Sequence, residues 1–329
     1  TMNNKLHDKQ SVIDMINEGQ NLILAGHENI LKELPKGSWI AGTIPYFMDI
    51  EGGCSTADKI FVTQLPDCVV SSNINAYSAD TVKNVYTDGP SNGFGIIIVP
   101  ATSATHAAFA LDSHTYSGFA MHPLIGWISG VFLEDLGKIT PKVFDGTTGT
   151  VMEDGAVVMN IELPANKIAD IDIINVFQQG DGDTITFPTD GFSAKDVYIN
   201  GEKTNFVDYL TTNEIDLKLP LVADMYGAMI NTSFQSLNEE EKQADLYAPV
   251  FKGVPYKIAK PTENYEKDFT SRIPTDANNV FFSCNCILNY LYAELEGKQT
   301  GKFTGPITFG EIAYQLLNQT LAYITIEDI

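Results

Sequence analysis

Basic residues are scarce in this sequence, cysteines scarcer still, and long apolar runs are missing. Lysine and arginine total 20 against 42 acidic residues, a formal net charge of -22. A field of that sign repels phosphate backbones and anionic lipid, and no Lys/Arg run interrupts it, so neither nucleic acid nor a membrane surface is expected as a partner. Only four cysteines occur in 329 residues, Cys54, Cys68, Cys284 and Cys286. That is too few for a disulfide framework, and Cys284 and Cys286 are too close in sequence to staple anything. The longest apolar runs, such as Gly95 to Val99, fall far short of the ~20 residues that cross a bilayer. No basic segment followed by an apolar core opens the chain, which predicts no signal peptide and a cytoplasmic location. Thr1, ahead of Met2, has no motif to support an N-terminal nucleophile.

The common chemical fingerprints are absent too. There is no phosphate loop of the GxxxxGK[ST] type and no GxGxxG, since Gly93-Phe94-Gly95 lacks its third glycine. No GxSxG elbow occurs. His27-Glu28 begins a zinc-protease pattern, but Leu31 stands where the second histidine belongs. Asp181-Gly182-Asp183 starts a calcium loop, but Phe192 occupies the place of its bidentate glutamate.

What is present is an ordinary globular composition, 44% hydrophobic and 19% charged, able to bury a sizeable core. The length suggests two domains, divided near Pro164 into residues 1–164 and 165–329. Helical spacing of Val12, Ile13 and Ile16 before Gly19 predicts a helix over Lys9 to Glu18, and Ile30, Leu31 and Leu34 predict another over Glu28 to Leu34. Further helices are expected over Asp80 to Tyr86, Thr102 to Leu111 and Phe206 to Leu210. Strands are expected over Ser38 to Ile44, Lys59 to Leu65, Leu124 to Phe132, Pro141 to Phe144, Gly155 to Leu163, Ile171 to Phe177, Asp183 to Pro188 and Gly227 to Phe234. The β-branched run Gly95 to Val99 reads as a central strand buried on both faces, and Asn200-Gly201 as a hairpin turn. The glutamates from Glu239 to Glu241 read as a solvated loop. The fold class is α/β with mixed α+β character: two domains, each a mixed β-sheet flanked by helices.

Four groups of residues are candidates for chemistry. His106, His114 and His122, with Asp112 between, are metal-ligand types, but an eight-residue step rotates them off a common helix face, so no metal and no cofactor is expected. Gly42 and Thr43 lie at a strand end where small residues let backbone N–H groups approach a ligand. Ser283-Cys284-Asn285-Cys286 follows the strand Asn279 to Phe282 and reads as a polar turn opening a helix that runs to about Glu296. Ser283 or Asn285 is its N-cap, and a cysteine there is expected to have a lowered thiol pKa. Finally Glu311, among apolar residues, must be paired, hydrogen-bonded or protonated if buried, and Tyr314 and Asn318 are its near neighbours in sequence.

These C-terminal residues resemble the FIST sensory domain of bacterial signal-transduction proteins and some eukaryotic F-box proteins. Phe282-Ser283-Cys284 is similar to that family's turn after a strand, Gly310-Glu311-Ile312 to its Gly-Glu-Ile element, and Asn318-Gln319-Thr320 to its Asn-x-Thr. Pro220-Leu221-Val222, Pro249-Val250, Gly126-Trp127-Ile128-Ser129-Gly130 and Val143-Phe144-Asp145-Gly146 extend the likeness upstream. One departure is that Asn285-Cys286-Ile287 stands where the family often has Gly-Arg after the cysteine. The resemblance implies a stand-alone binder of a small molecule, an amino acid or similar metabolite, with a signalling protein as partner. Its ligand would be lined by Ser283, Cys284, Asn285, Cys286, Glu311, Tyr314, Asn318, Gly42 and Thr43. The residues also leave open a cysteine-dependent enzyme using Cys284 or Cys286 with Glu311, and a protein-interaction module without a small ligand.

Overall fold

The structure, a computed structural model, describes residues 4–225 and 227–329, so Thr1 lies outside the described residues. The strands that frame the molecule are β1 (Leu22–Gly26), β2 (Trp39–Thr43), β3 (Tyr46–Asp49), β4 (Gly93–Pro100), β5 (Leu124–Ser129), β6 (Ala156–Glu162), β7 (Val280–Cys286), β8 (Gly305–Thr308), β9 (Glu311–Ala313) and β10 (Leu321–Asp328). The α-helices are α1 (Lys9–Asn17), α2 (Glu28–Leu31), α3 (Ala104–Asp112), α4 (Phe206–Thr212), α5 (Tyr265–Ser271) and α6 (Ile287–Tyr292). The fold is mixed α/β: among the described residues there are four six-stranded sheets and one of three strands.

Among the described residues most strands pair antiparallel, but three pairs are parallel and each has a helix between its strands: β1–α2–β2, β4–α3–β5 and β7–α6–β8. Parallel neighbours require such a crossover, and a helix is the usual one. The run from Gly93 to Pro100 is buried along its whole length because β5 and β6 flank it on either side in the sheet. That is why it reads as unbroken apolar sequence rather than as an alternation.

Two of the sheets draw strands from both sides of position 164. β9 joins β5, β4 and β6 in one, and β3 joins β8, β7 and β10 in another. Between them lies the largest core cluster, built on Ile40, Phe47, Phe94, Ile98, Trp127, Phe282, Cys284 and Ile324. Fully burying an aliphatic or aromatic side chain of this kind is worth about 1.5–3 kcal/mol. Gly42 belongs to this packing. A Cβ there would lie 2.5 Å from Ile98 Cγ2 and 2.7 Å from Trp127 Cη2, so the indole fills the space a side chain would take.

Several expectations are corrected at element ends. The helix expected to Leu34 stops at Leu31; the residue before Pro35 is pushed out of the helical region by the proline ring. Asp80 to Tyr86 holds only a 3₁₀ turn, Val82–Asn84, for lack of an apolar face long enough to sustain a helix. Asp183 to Pro188 is a two-residue strand, Ile185–Thr186. Ser283 to Cys286 is not a turn: β7 runs through to Cys286 and pairs with β10 and β8. α6 ends at Tyr292 rather than Glu296, and its N-cap is Cys286, with no side-chain cap bond. By contrast α1 starts at an Asp8 cap and stops before Gly19, whose φ is +81°. Asn200-Gly201 turns a hairpin with both residues at positive φ. Among the described residues, no helix is long and apolar enough to cross a membrane.

Candidate functional site

Glu311 is fully buried on β9, opposite Trp127 of β5. Its Oε1 accepts from the Thr320 hydroxyl at 2.9 Å and the Thr320 N–H at 3.2 Å, and its Oε2 lies 3.0 Å from Thr308 Oγ1. The Thr308 hydroxyl has a single proton and two carbonyls within reach, Gly310 at 3.0 Å and Asn285 at 3.3 Å. A carboxylate at Glu311 accepts the Thr308 proton, whereas a protonated Glu311 donates to Thr308 and leaves that proton for the Gly310 carbonyl, so the pair is hydrogen-bonded in either state. Burial pushes the Glu311 pKa up to about 8, and the Thr320 and Thr308 hydrogen bonds reduce the rise without cancelling it. The carboxyl is therefore a neutral acid at pH 7.

The two cysteines beside it are neutral thiols. Burial raises both well above the usual thiol value, and the Glu311 charge adds to the rise once that carboxyl ionises. This corrects the expectation of a lowered pKa at the helix start: a six-residue helix with its first turn buried does not offset desolvation. Cys284 turns into the main core and donates to the Gly126 carbonyl at 3.4 Å. Asn285 Oδ1 accepts from the Cys286 N–H and from Asn289 Nδ2, both at 2.9 Å. Ser283 donates to the Thr304 carbonyl at 2.9 Å.

The remaining expected residues are spread more widely. Tyr314 is not packed beside Glu311. It sits at the hairpin tip after β9 with φ +65°, and its carbonyl accepts from the Tyr86 hydroxyl. Thr43 is tied to Lys142 through both its hydroxyl and its backbone. Gly42 faces the Trp127 ring, as described above. The three histidines lie apart: His106 packs on Phe192, His114 on Phe251, and His122 near Gly89. Among the described residues no three His, Cys, Asp or Glu side chains form a group that could hold a metal.

Two of the expected residues, Cys286 and Asn318, meet at a large cavity of about 650 Å³. The cavity is formed where two crossover units end. Ala101, Thr102 and Ser103 follow β4, and the stretch from Leu133 to Pro141 comes after β5. Ile287 and Leu288 follow β7, and Phe309 follows β8. Carboxyl ends of parallel strands are where open α/β sheets bind ligands, because the chain must leave the sheet there and loops diverge. Phe192, Gln235 and residues 245–247 close the cavity from the smaller sheet of the second half. Cys286 is on its wall, and Glu311, which is hydrogen-bonded to Cys286, is not.

The loop after β4 holds a strained residue. Thr102 has φ +63°, a conformation a β-branched residue rarely adopts. It presents its N–H to His106 Nδ1 at 3.0 Å. That bond places the imidazole proton on Nε2, and burial lowers the His106 pKa to about 4, so the ring is neutral. Ser103 caps α3 by accepting from the His106 N–H at 3.1 Å. Asp154 engages the same helix end, accepting from the Thr105 N–H at 2.9 Å and the Thr105 hydroxyl at 2.8 Å.

The walls of this cavity are not legible as local motifs. The residues from Leu133 to Pro141 and from Asp245 to Tyr247 carry no motif, and His106 stands out in the sequence only as a metal-ligand type. The usable signal was the pairing of a buried strand ending at Pro100 with a small-residue helix after it, the mark of a crossover unit whose end binds ligands. Comparison with curated proteins gives no match. A model for a family of unknown function, DUF6976, matches residues 7–327, a span that takes in all three crossover units and every residue of the cavity wall. The chain belongs to the family of unknown function DUF6976.

Proposed function

We propose that this protein is a cytoplasmic sensory protein that binds one small molecule in the cavity at the ends of β4, β5, β7 and β8. The supporting observation is the convergence of two crossover units on a largely apolar hollow of about 650 Å³, within the ~300–1,000 Å³ typical of small-molecule sites. Two polar groups on the wall are held in place: Asn318 Oδ1 accepts from the Ser233 N–H at 3.1 Å, and His106 is held by Thr102. Rigid donors and acceptors on an apolar wall orient a ligand without charge. The sensory role rests on the likeness to FIST domains, which also makes amino acids and similar metabolites the first class to test, with a separate signalling protein as the receiver of the signal.

A cysteine-dependent enzyme has less support. Both thiols near Glu311 are buried and neutral, and Glu311, itself a neutral acid, is a poor base for them. Isothermal titration against a panel of amino acids and small metabolites tests the binding reading. Wild-type protein is expected to bind at least one member with one-to-one stoichiometry. Leu288→Trp, which fills the cavity from its wall, is expected to abolish that binding while the protein still melts cooperatively. Binding indifferent to Leu288→Trp, or none across the panel, would contradict the reading.

A further inference from the structure

The cavity wall carries information about the charge of its ligand. Its apolar surface comes from Leu133, Ile139, Phe192, Leu246, Ile287 and Phe309, among others. Its ionisable members are His106, Lys138, Asp245, Tyr247 and Cys286, and burial raises the Tyr247 pKa, so its phenol is neutral. Lys138 is exposed, at the rim. Asp245 is already engaged, accepting from Gln243 Nε2 at 2.8 Å and lying 3.5 Å from Ser236 Oγ. Cys286 is a neutral thiol. No buried cation stands ready to compensate a carboxylate or phosphate, and no unengaged buried anion to compensate an ammonium. A charged head brought into such a place loses its hydration without a partner, which costs several kcal/mol.

His106 has an unpaired donor. His106 Nδ1 is used by the Thr102 N–H, so the ring is a donor at Nε2, and that atom is shielded from water and has no partner in the protein. A buried donor without an acceptor costs about 1–3 kcal/mol, and the strained φ of Thr102 is part of what fixes the ring in this state. The ring is on the cavity wall, packed against Phe192, and a small turn of either ring opens Nε2–H to an acceptor that arrives with the ligand.

We infer that the ligand is an uncharged, largely apolar molecule that presents one oxygen acceptor, such as an amide or ketone carbonyl, to His106 Nε2–H. This rests on the binding reading above and narrows it: free amino acids, charged at both ends, fit this wall less well than neutral derivatives do.

The test uses three probes with one alkyl chain and different heads: decanamide, decanoate and decylamine. Each is titrated at pH 7 into the full chain, its Leu288→Trp variant and a His106→Phe variant, which keeps an aromatic ring against Phe192 but removes the donor. Decanamide is expected to bind at least tenfold more tightly than either charged probe. His106→Phe is expected to weaken it by about three- to tenfold, the worth of one hydrogen bond, and Leu288→Trp to abolish it. A wild-type spectrum of the imidazole nitrogens should show the Nε2-protonated tautomer, with the Nε2 proton shifting on decanamide addition. Tighter binding of decanoate or decylamine, or decanamide affinity unchanged in His106→Phe, would overturn the neutral class while leaving the cavity as a binding site. If none of the three binds but a panel metabolite does, the neutral class is likewise overturned. If nothing binds in either experiment, the binding reading itself falls.

Discussion

At the scale of single residues, Glu311 and Gly42 show how polar and small residues are placed by the core rather than by a ligand. Glu311 is raised from the usual 4.5 to about 8 by burial. Between those values the folded chain holds a proton that the unfolded chain has released. Its contribution to stability is therefore complete below pH 4.5, declines as pH rises through that window, and is gone above pH 8. His106, lowered from 6.5 to about 4, works in the opposite direction, its contribution declining as pH falls below 6.5. The interval from pH 6.5 to 8 thus isolates Glu311. Glu311→Gln keeps a donor toward Thr308 and an acceptor for Thr320, and removes the titration. Urea midpoints measured across that interval should fall for the wild type and stay flatter for the variant; parallel profiles would contradict a neutral Glu311. Gly42→Ala places a methyl against Ile98 and Trp127 and should cost about 1–3 kcal/mol, as overpacking of a filled core does. An unchanged urea midpoint would mean that the indole does not occupy that space.

At the scale of elements, legibility followed how each element is buried. α1 was readable because it shows one apolar stripe, an Asp8 cap and a Gly19 stop. β4 was readable because a strand flanked in a sheet and covered on both faces must be apolar throughout. The end of β7 reads as a turn because Ser283 and Asn285 are turn-type residues, yet Ser283 donates to the Thr304 carbonyl and Asn285 Oδ1 accepts from Asn289, both inside the sheet layer. A local pattern cannot distinguish a polar side chain facing water from one whose partner lies far along the chain. The cavity wall was illegible for a related reason, since it is assembled from loop residues on both sides of position 164. Thiol alkylation reads the β7 assignment directly. With iodoacetamide in native buffer, the half-buried Cys54 and Cys68 should react well before Cys284 and Cys286, and all four should react alike in denaturant. A Cys286 that leads the series would contradict the raised thiol pKa and restore the helix-start thiolate.

At the scale of the whole molecule, three crossover units share a core, and two of them open at their carboxyl ends onto one cavity. The DUF6976 match spans all of them, so this arrangement belongs to the family's extent and not to an appended segment. The surrounding acidity, with a net charge of -22, repels polyanions, and the largely apolar cavity is the site proposed here for a small ligand. The central claim is that this hollow is open, apolar and unfilled by the protein's own side chains. Crystals pressurised with xenon test it most directly, because xenon occupies apolar cavities without needing a specific partner. Xenon density bounded by Leu133, Phe192, Leu246, Ile287 and Phe309 is the predicted result. A crystal in which those side chains close on one another and xenon finds no place between them would contradict it.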